Sequence, residues 1–121
     1  MFHAFPKDDA QTLWTRHIKN KMLFYGLSEQ RIRGVIRSPD RREEGIAPNT
    51  VAVMKRAKFR KKPEEIWVMY QSQNQKLNAK SQKLSFKKKR CTMISAWRYP
   101  GVTKPGAPIP IPEDILEEIK G

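Results

Sequence analysis

The period of the apolar pattern changes at Pro39, and that change sets the order of elements this chain can form. Before it, Trp14, Ile18, Met22 and Tyr25 recur at i, i+4, i+8 and i+11, which predicts one face of a helix of about three and a half turns. Gly26 stops that helix because it tolerates the left-handed cap. Ser28 is the expected N-cap of a second helix, with Glu29 in its positively polarised first turn and Leu27 packing on Ile32 as a hydrophobic staple. The second helix buries Ile32, Val35 and Ile36 and ends near Ser38, since Pro39 disfavours helical dihedrals in the residue before it.

After Pro39 the pattern turns strand-like. Thr50 to Met54 is rich in β-branched residues, and Glu65 to Tyr70 and Cys91 to Trp97 are apolar runs of strand length. Arg41 to Gly45 is a candidate fourth strand, paired with Thr50 to Met54 through a turn at Ala47, Pro48 and Asn49. The polar, Lys-rich link from Ser72 to Lys89 is expected as a mobile loop. Residues 105–112 hold four prolines and are expected as an extended linker, and Glu113 to Lys120 as a short acidic helix presenting Ile115, Leu116 and Ile119 on one side. The expected class is therefore α+β: two N-terminal helices on a three- to four-stranded, mainly antiparallel sheet, with a short C-terminal helix. Residues 1–104 form the single domain of this reading and 105–121 its tail. The helix pair covers one sheet face, against Trp67 and Trp97, and the other face is left for a ligand.

Charge supplies the functional direction. Of 25 Lys and Arg against 12 Asp and Glu, fifteen basic residues and only Glu64 and Glu65 fall between positions 55 and 104, so the whole excess of +13 lies in that segment. Lys55, Arg56, Lys58, Arg60, Lys61 and Lys62 form one block and Lys87, Lys88, Lys89 and Arg90 another. A segregated positive field concentrates polyanions and gains from counterion release at each phosphate it neutralises, so RNA is the first partner to consider. The plain alternative is a basic solubilising surface. No apolar run approaches the ~20 residues of a membrane span, the basic runs lack the helical apolar spacing of a membrane-surface segment, and the expected location is the cytoplasm. Single Cys91 excludes an internal disulfide, and His3 and His17 make no zinc-site spacing, so neither metal nor cofactor is expected.

Several short strings occur together. Arg16-His17 lies on the first helix, Tyr25-Gly26-Leu27-Ser28 joins the helices, Pro39-Asp40 ends the second, Arg42 to Gly45 reads Arg-Glu-Glu-Gly, and Ile94-Ser95-Ala96 precedes Trp97-Arg98. Over residues 14 to 100 this order resembles BrnT-like toxins and a related small bacterial domain of unknown function, both grouped with RelE/ParE-type proteins. The resemblance implies a compact helix-helix-sheet ribonuclease that cleaves RNA without a metal and is usually held inactive by an antitoxin encoded beside it; the ribosome is a further candidate partner. It maps a basic residue-His pair onto Arg16 and His17, an acidic-Arg region onto Arg41, Arg42, Glu43 and Glu44, and a terminal-strand Arg onto Arg98. Trp97 stands where such toxins commonly carry an additional Arg.

Metal-free RNA cleavage requires a base, cations for the developing phosphorane charge, and an acid. His17 titrates near neutrality and is the candidate acid or base, with Lys21 one helical turn away. Arg98 offers a phosphate fork and Tyr99 a proton or a stacking ring. Period-2 alternation groups Arg98 with Thr92, Ile94 and Ala96 and Tyr99 with Met93, Ser95 and Trp97, so a straight strand does not aim both into one groove. Lys21, Arg41, Arg42 and the two basic blocks are the candidate RNA contacts. Two further readings stay open: a non-catalytic RNA- or ribosome-associated module of the same fold, and a DNA- or partner-binding accessory protein, for which no recognition helix is evident.

Overall fold

The computed structural model describes residues 7–8, 12–46, 49–72, 91–104 and 106–120. Its elements are β1 (Thr12–Trp14), α1 (Arg16–Tyr25), α2 (Glu29–Arg37), β2 (Arg41–Glu44), β3 (Thr50–Phe59), β4 (Lys62–Ser72), β5 (Cys91–Pro100) and α3 (Glu113–Lys120). The strands form one five-stranded sheet of order β1-β5-β4-β3-β2, with β1 parallel to β5 and the remaining pairs antiparallel. The α+β class stands, and the sheet has a fifth strand and a mixed character that the sequence pattern did not show. Three residues are too few to display alternation. Trp14 also falls in phase with Ile18 and Met22, so the helical spacing runs on through it although the helix begins at Arg16.

The local signals of the helix pair act as expected. The Thr15 side chain accepts from the Ile18 N–H to cap α1, and Ser28 accepts from the Arg31 N–H to cap α2. Gly26 closes α1 at φ 68°, where its N–H and that of Leu27 satisfy the last carbonyls of the helix. Between β2 and β3, a Cβ on Gly45 would lie 2.1 Å from Thr50 Oγ1, so only glycine fits there. Asn49 adopts φ 62° beside it, while Ala47 and Pro48 of the expected turn lie outside the described residues. Of the loop expected from Ser72 to Lys89, Ser72 is the last residue of β4, and the rest lies outside the described residues with Lys87, Lys88, Lys89 and Arg90.

Two apolar clusters sandwich the sheet. Trp14, Ile18, Met22, Leu27, Ile32 and Val35 meet Val51, Val53, Ile66, Val68, Met93 and Ala96 on the face of the helix pair. On the other face Ile115 of α3, with Ile109 and Ile111 of the proline-containing segment, covers Ala52, Met54, Trp67, Met69 and Trp97. This overturns two expectations. Trp67 and Trp97 are core residues, but on the face opposite the helix pair, and that face is occupied by the tail rather than open to a ligand. The two indoles lie parallel, 6.3 Å apart between ring centres at an interplanar angle of 10°, and Trp97 Nε1 donates to the Pro110 carbonyl at 2.8 Å.

The faces of β5 also differ from simple alternation. Met69 pairs with Ser95 but Tyr70 pairs with Met93, so Ile94 is an extra residue on β5. The bulge brings Met93 and Ala96 into the helix-side cluster and Ile94 and Trp97 into the other. Beyond β1 the edge of β5 is covered by α1, which runs beside it in the same direction: Thr15 Oγ1 donates to Met93 O, His17 meets Ser95, and Arg98 donates to Tyr25 O.

Candidate nucleic-acid interface

The β3–β4 hairpin carries the first basic block. Its register runs from Thr50↔Gln71 to Phe59↔Lys62, leaving Arg60 and Lys61 as a two-residue turn. Thr50 to Met54 are buried, and from Arg56 outward every cation on the arm is exposed. β5 accompanies β4 only as far as Glu64↔Pro100, so the last rungs, from Lys58↔Pro63 to the turn, project as a two-stranded ribbon. The sequence reads as a charge run with no Gly, Asn or Pro at the turn, and for that reason the hairpin is not visible in it.

Arg60 and Lys61 have φ of 52° and 69°, the left-handed values a two-residue hairpin turn of this hand demands. Asn-Gly is the relaxed choice, and a bulky L residue in that region costs about 1–2 kcal/mol. The chain accepts this strain and gains two cations at its most projecting point. Among the described residues, no carboxylate lies within ion-pair distance of Lys58, Arg60, Lys61 or Lys62. Glu64 is taken by Arg98, and Glu65 is fully buried within the fold. Lys55 turns to the helix side, its ammonium donating to Ser38 O at 2.8 Å, and the Arg56 backbone N–H donates to Asp40. The six basic residues Lys55, Arg56, Lys58, Arg60, Lys61 and Lys62 therefore share one arm.

The other candidates are placed elsewhere. Arg41 is 8% exposed. Its guanidinium donates to Glu43, to Thr103 Oγ1 and to Ala107 O, and stands 5.2 Å from the centre of the Trp67 ring. Thr103 in turn donates its N–H to Glu65 at 2.6 Å and its hydroxyl to the same carboxylate, which also accepts from Trp67 Nε1. This network ties β2, β4 and the chain after β5 together, and no spacing in the sequence announced it. Arg42 is exposed on the edge strand, 3.4 Å from the Tyr70 hydroxyl. Lys21 is buried and paired with Asp114 of α3 at 2.7 Å, and the Tyr25 hydroxyl donates to the same carboxylate.

His17 Nε2 lies 2.9 Å from Ser95 Oγ. Arg98 pairs with the buried Glu64 and donates to Tyr25 O and Gly26 O at the far end of α1. Tyr25 lies eight positions along α1 from His17, about 12 Å of axial rise. Tyr99 packs with Trp97 on the opposite sheet face. The three candidate catalytic residues are thus brought to three places, and Arg98 serves as a structural anchor between α1, β4 and β5. Among the described residues there is no group of three His, Cys, Asp or Glu able to hold a metal ion, and no helix long and apolar enough to cross a membrane.

Asp114 gives the tail a pH-dependent hold. Burial works against its carboxylate, but the hydrogen bond and charge of Lys21 and the Tyr25 hydroxyl outweigh it and keep its pKa below the ordinary carboxylate value. A group depressed in this way contributes stability that is fully present above its unfolded pKa of about 4 and is lost as pH falls through the lower folded value. The side chain is 39% exposed, so the contribution is about 0.2–1 kcal/mol. Thermal unfolding from pH 6 to pH 3 should show that loss only below about pH 4, and Asp114→Asn should remove that component of the pH profile. An identical profile in the variant would contradict the assignment.

A scan against protein-family models and searches of curated proteins and solved structures matched nothing.

Proposed function

We propose that this protein is an RNA-binding module whose β3–β4 hairpin is the arm that holds the phosphate backbone. The observation that carries this reading is the pair of strained cations, Arg60 and Lys61, at the tip of a projecting ribbon where, among the described residues, no carboxylate lies within ion-pair distance of them or of Lys58 and Lys62. Unpaired cations release phosphate counterions without first breaking an internal ion pair. Lys87 to Arg90, in the link between β4 and β5, add to the same electrostatic attraction in this reading. Kinship with BrnT-like toxins is part of the proposal in so far as two helices precede the antiparallel strands. The cleaving chemistry is not part of it, because His17, Arg98 and Tyr99 stand apart.

The test is binding to a labelled RNA with magnesium chelator present, followed across a salt series. Wild type should bind without cutting, with affinity falling steeply as salt rises. Arg60→Asn/Lys61→Gly removes two phosphate contacts and should flatten the logarithmic salt slope by about 1.4 for a single strand. Chelator-resistant cleavage lost in His17→Ala would replace this reading with the nuclease.

A further inference from the structure

We propose that the hairpin tip takes single-stranded nucleic acid, with Phe59 as the platform for one unstacked base. This rests on the nucleic-acid reading above and adds the class of substrate to it. Phe59 closes the last rung of the arm, opposite Lys62, and is 51% exposed although it lies on the sheet face that the helix pair covers further along. Among the described residues this large apolar ring stays half in water, with cations rather than apolar side chains over it. Two guanidiniums attend it, Arg60 at 5.2 Å and Arg98 at 5.6 Å from the ring centre.

The two arginines differ in freedom. Arg98 is fixed by Glu64, Tyr25 O and Gly26 O, so it braces the ring from within the fold. Arg60 belongs to the exposed turn and can give up the ring for a phosphate. A base stacked on Phe59 then lies next to backbone phosphates within reach of Arg60, Lys61 and Lys62, the last directly opposite the ring on the same face. Cationic grooves interleaved with aromatic rings hold single strands in this way, whereas the bases of a duplex are already stacked on one another. The left-handed turn serves the arrangement by closing the ribbon in two residues, which keeps Arg60 and Lys61 beside the ring instead of on a longer, looser loop.

The experiment uses the full chain and four probes: a labelled RNA single strand of about 12 nucleotides, an abasic phosphodiester of equal length, an RNA duplex, and phosphatidylserine vesicles. The base-bearing strand should bind more tightly than the abasic one or the duplex. Phe59→Ala and Phe59→Leu should each lose about ten-fold on the base-bearing strand and leave the abasic strand unchanged, Leu keeping the apolar contact without the ring face. Phe59→Trp should retain affinity, and the added indole emission should be quenched on binding. Unchanged affinity of Phe59→Ala for the base-bearing strand would overturn the stacking platform while leaving the phosphate-binding arm in place. Equal loss on both strands would overturn it as well, by showing a general disturbance of the arm. Failure of wild type to bind either strand at low salt would instead remove the nucleic-acid reading itself. Loss on vesicles alone would overturn the proposal in favour of a membrane surface.

Discussion

Replacing Glu65 with Ala is expected to destabilise the protein by about 3–5 kcal/mol, the cost of breaking a fully buried charged network by removing one partner. The Glu65 carboxylate is 0% exposed and accepts from Trp67 Nε1 at 3.0 Å and from the Thr103 N–H at 2.6 Å. Its loss leaves the buried Trp67 Nε1 without an acceptor, at a cost of about 1–3 kcal/mol, and frees the half-buried Thr103 N–H. The Thr103 hydroxyl, which accepts from Arg41 and donates to Glu65, would lose the acceptor that orients it. Arg41 would keep its ion pair with Glu43, since it reaches Glu65 only through the Thr103 hydroxyl. For a domain of this size the shift in Tm should be about 10–20 °C. Glu65→Gln keeps one acceptor but turns an amide donor toward Thr103, and should fall between wild type and the Ala variant. Urea unfolding measures both. A loss below 1 kcal/mol in Glu65→Ala would mean that the network does not hold the sheet to the segment after β5.

Trp97→Ala should cost about 3–5 kcal/mol, the usual range for removing a buried Trp. Trp97 is fully buried, stacks on Trp67 and donates to Pro110 O, so its removal opens a cavity beneath α3 and leaves that carbonyl without its donor. Trp97→Phe retains a ring against Trp67 but not the hydrogen bond, and should cost less. Because Ile109, Ile111 and Ile115 pack on the same cluster, the Ala variant should also make residues 105–121 more sensitive to limited proteolysis. A stable variant with a protease-resistant tail would contradict the view that Trp97 anchors the cover of this face.

The elements that the sequence revealed are those whose signal is local. Gly26, Ser28 and Pro39 punctuate the helix pair because a cap or a forbidden dihedral acts within a turn, and the structure places them as their chemistry requires. The antiparallel strands showed in their β-branched and apolar runs, although β3 and β4 each extend well beyond those runs into the basic arm. What stayed hidden was non-local. β1 is three residues whose pairing partner, Cys91 to Met93, lies far along the chain, and Trp14 imitates the helical phase next to it. The bulge at Ile94 swaps the faces of residues before it and leaves no trace in an alternating pattern. Ile115 and Ile119 marked the tail helix as amphipathic, but nothing in their spacing says which surface receives Ile115.

The candidate site divides along the same line. Clustering of charge between Lys55 and Lys62 was legible, and the hairpin that presents it was not, because the turn uses Arg and Lys where Asn and Gly would have announced it. His17 and Arg98 were candidates by residue type and by the resemblance, Tyr99 by residue type alone. Type does not report that Arg98 is held by Glu64 and the end of α1, or that Tyr99 is on the other face. The Arg41-Thr103-Glu65 network joins three distant positions, and only the folded chain shows that a candidate RNA contact is a buried structural cation.

The central claim, that the chain keeps a strained turn because its two cations bind RNA, is tested by reading stability and affinity on one variant. Arg60→Asn/Lys61→Gly supplies the residues this turn prefers and should raise stability by about 1–2 kcal/mol in urea unfolding. The same variant should bind RNA about ten-fold more weakly at moderate salt, with the flattened salt slope. A variant that is more stable and binds RNA as tightly as wild type would contradict the claim.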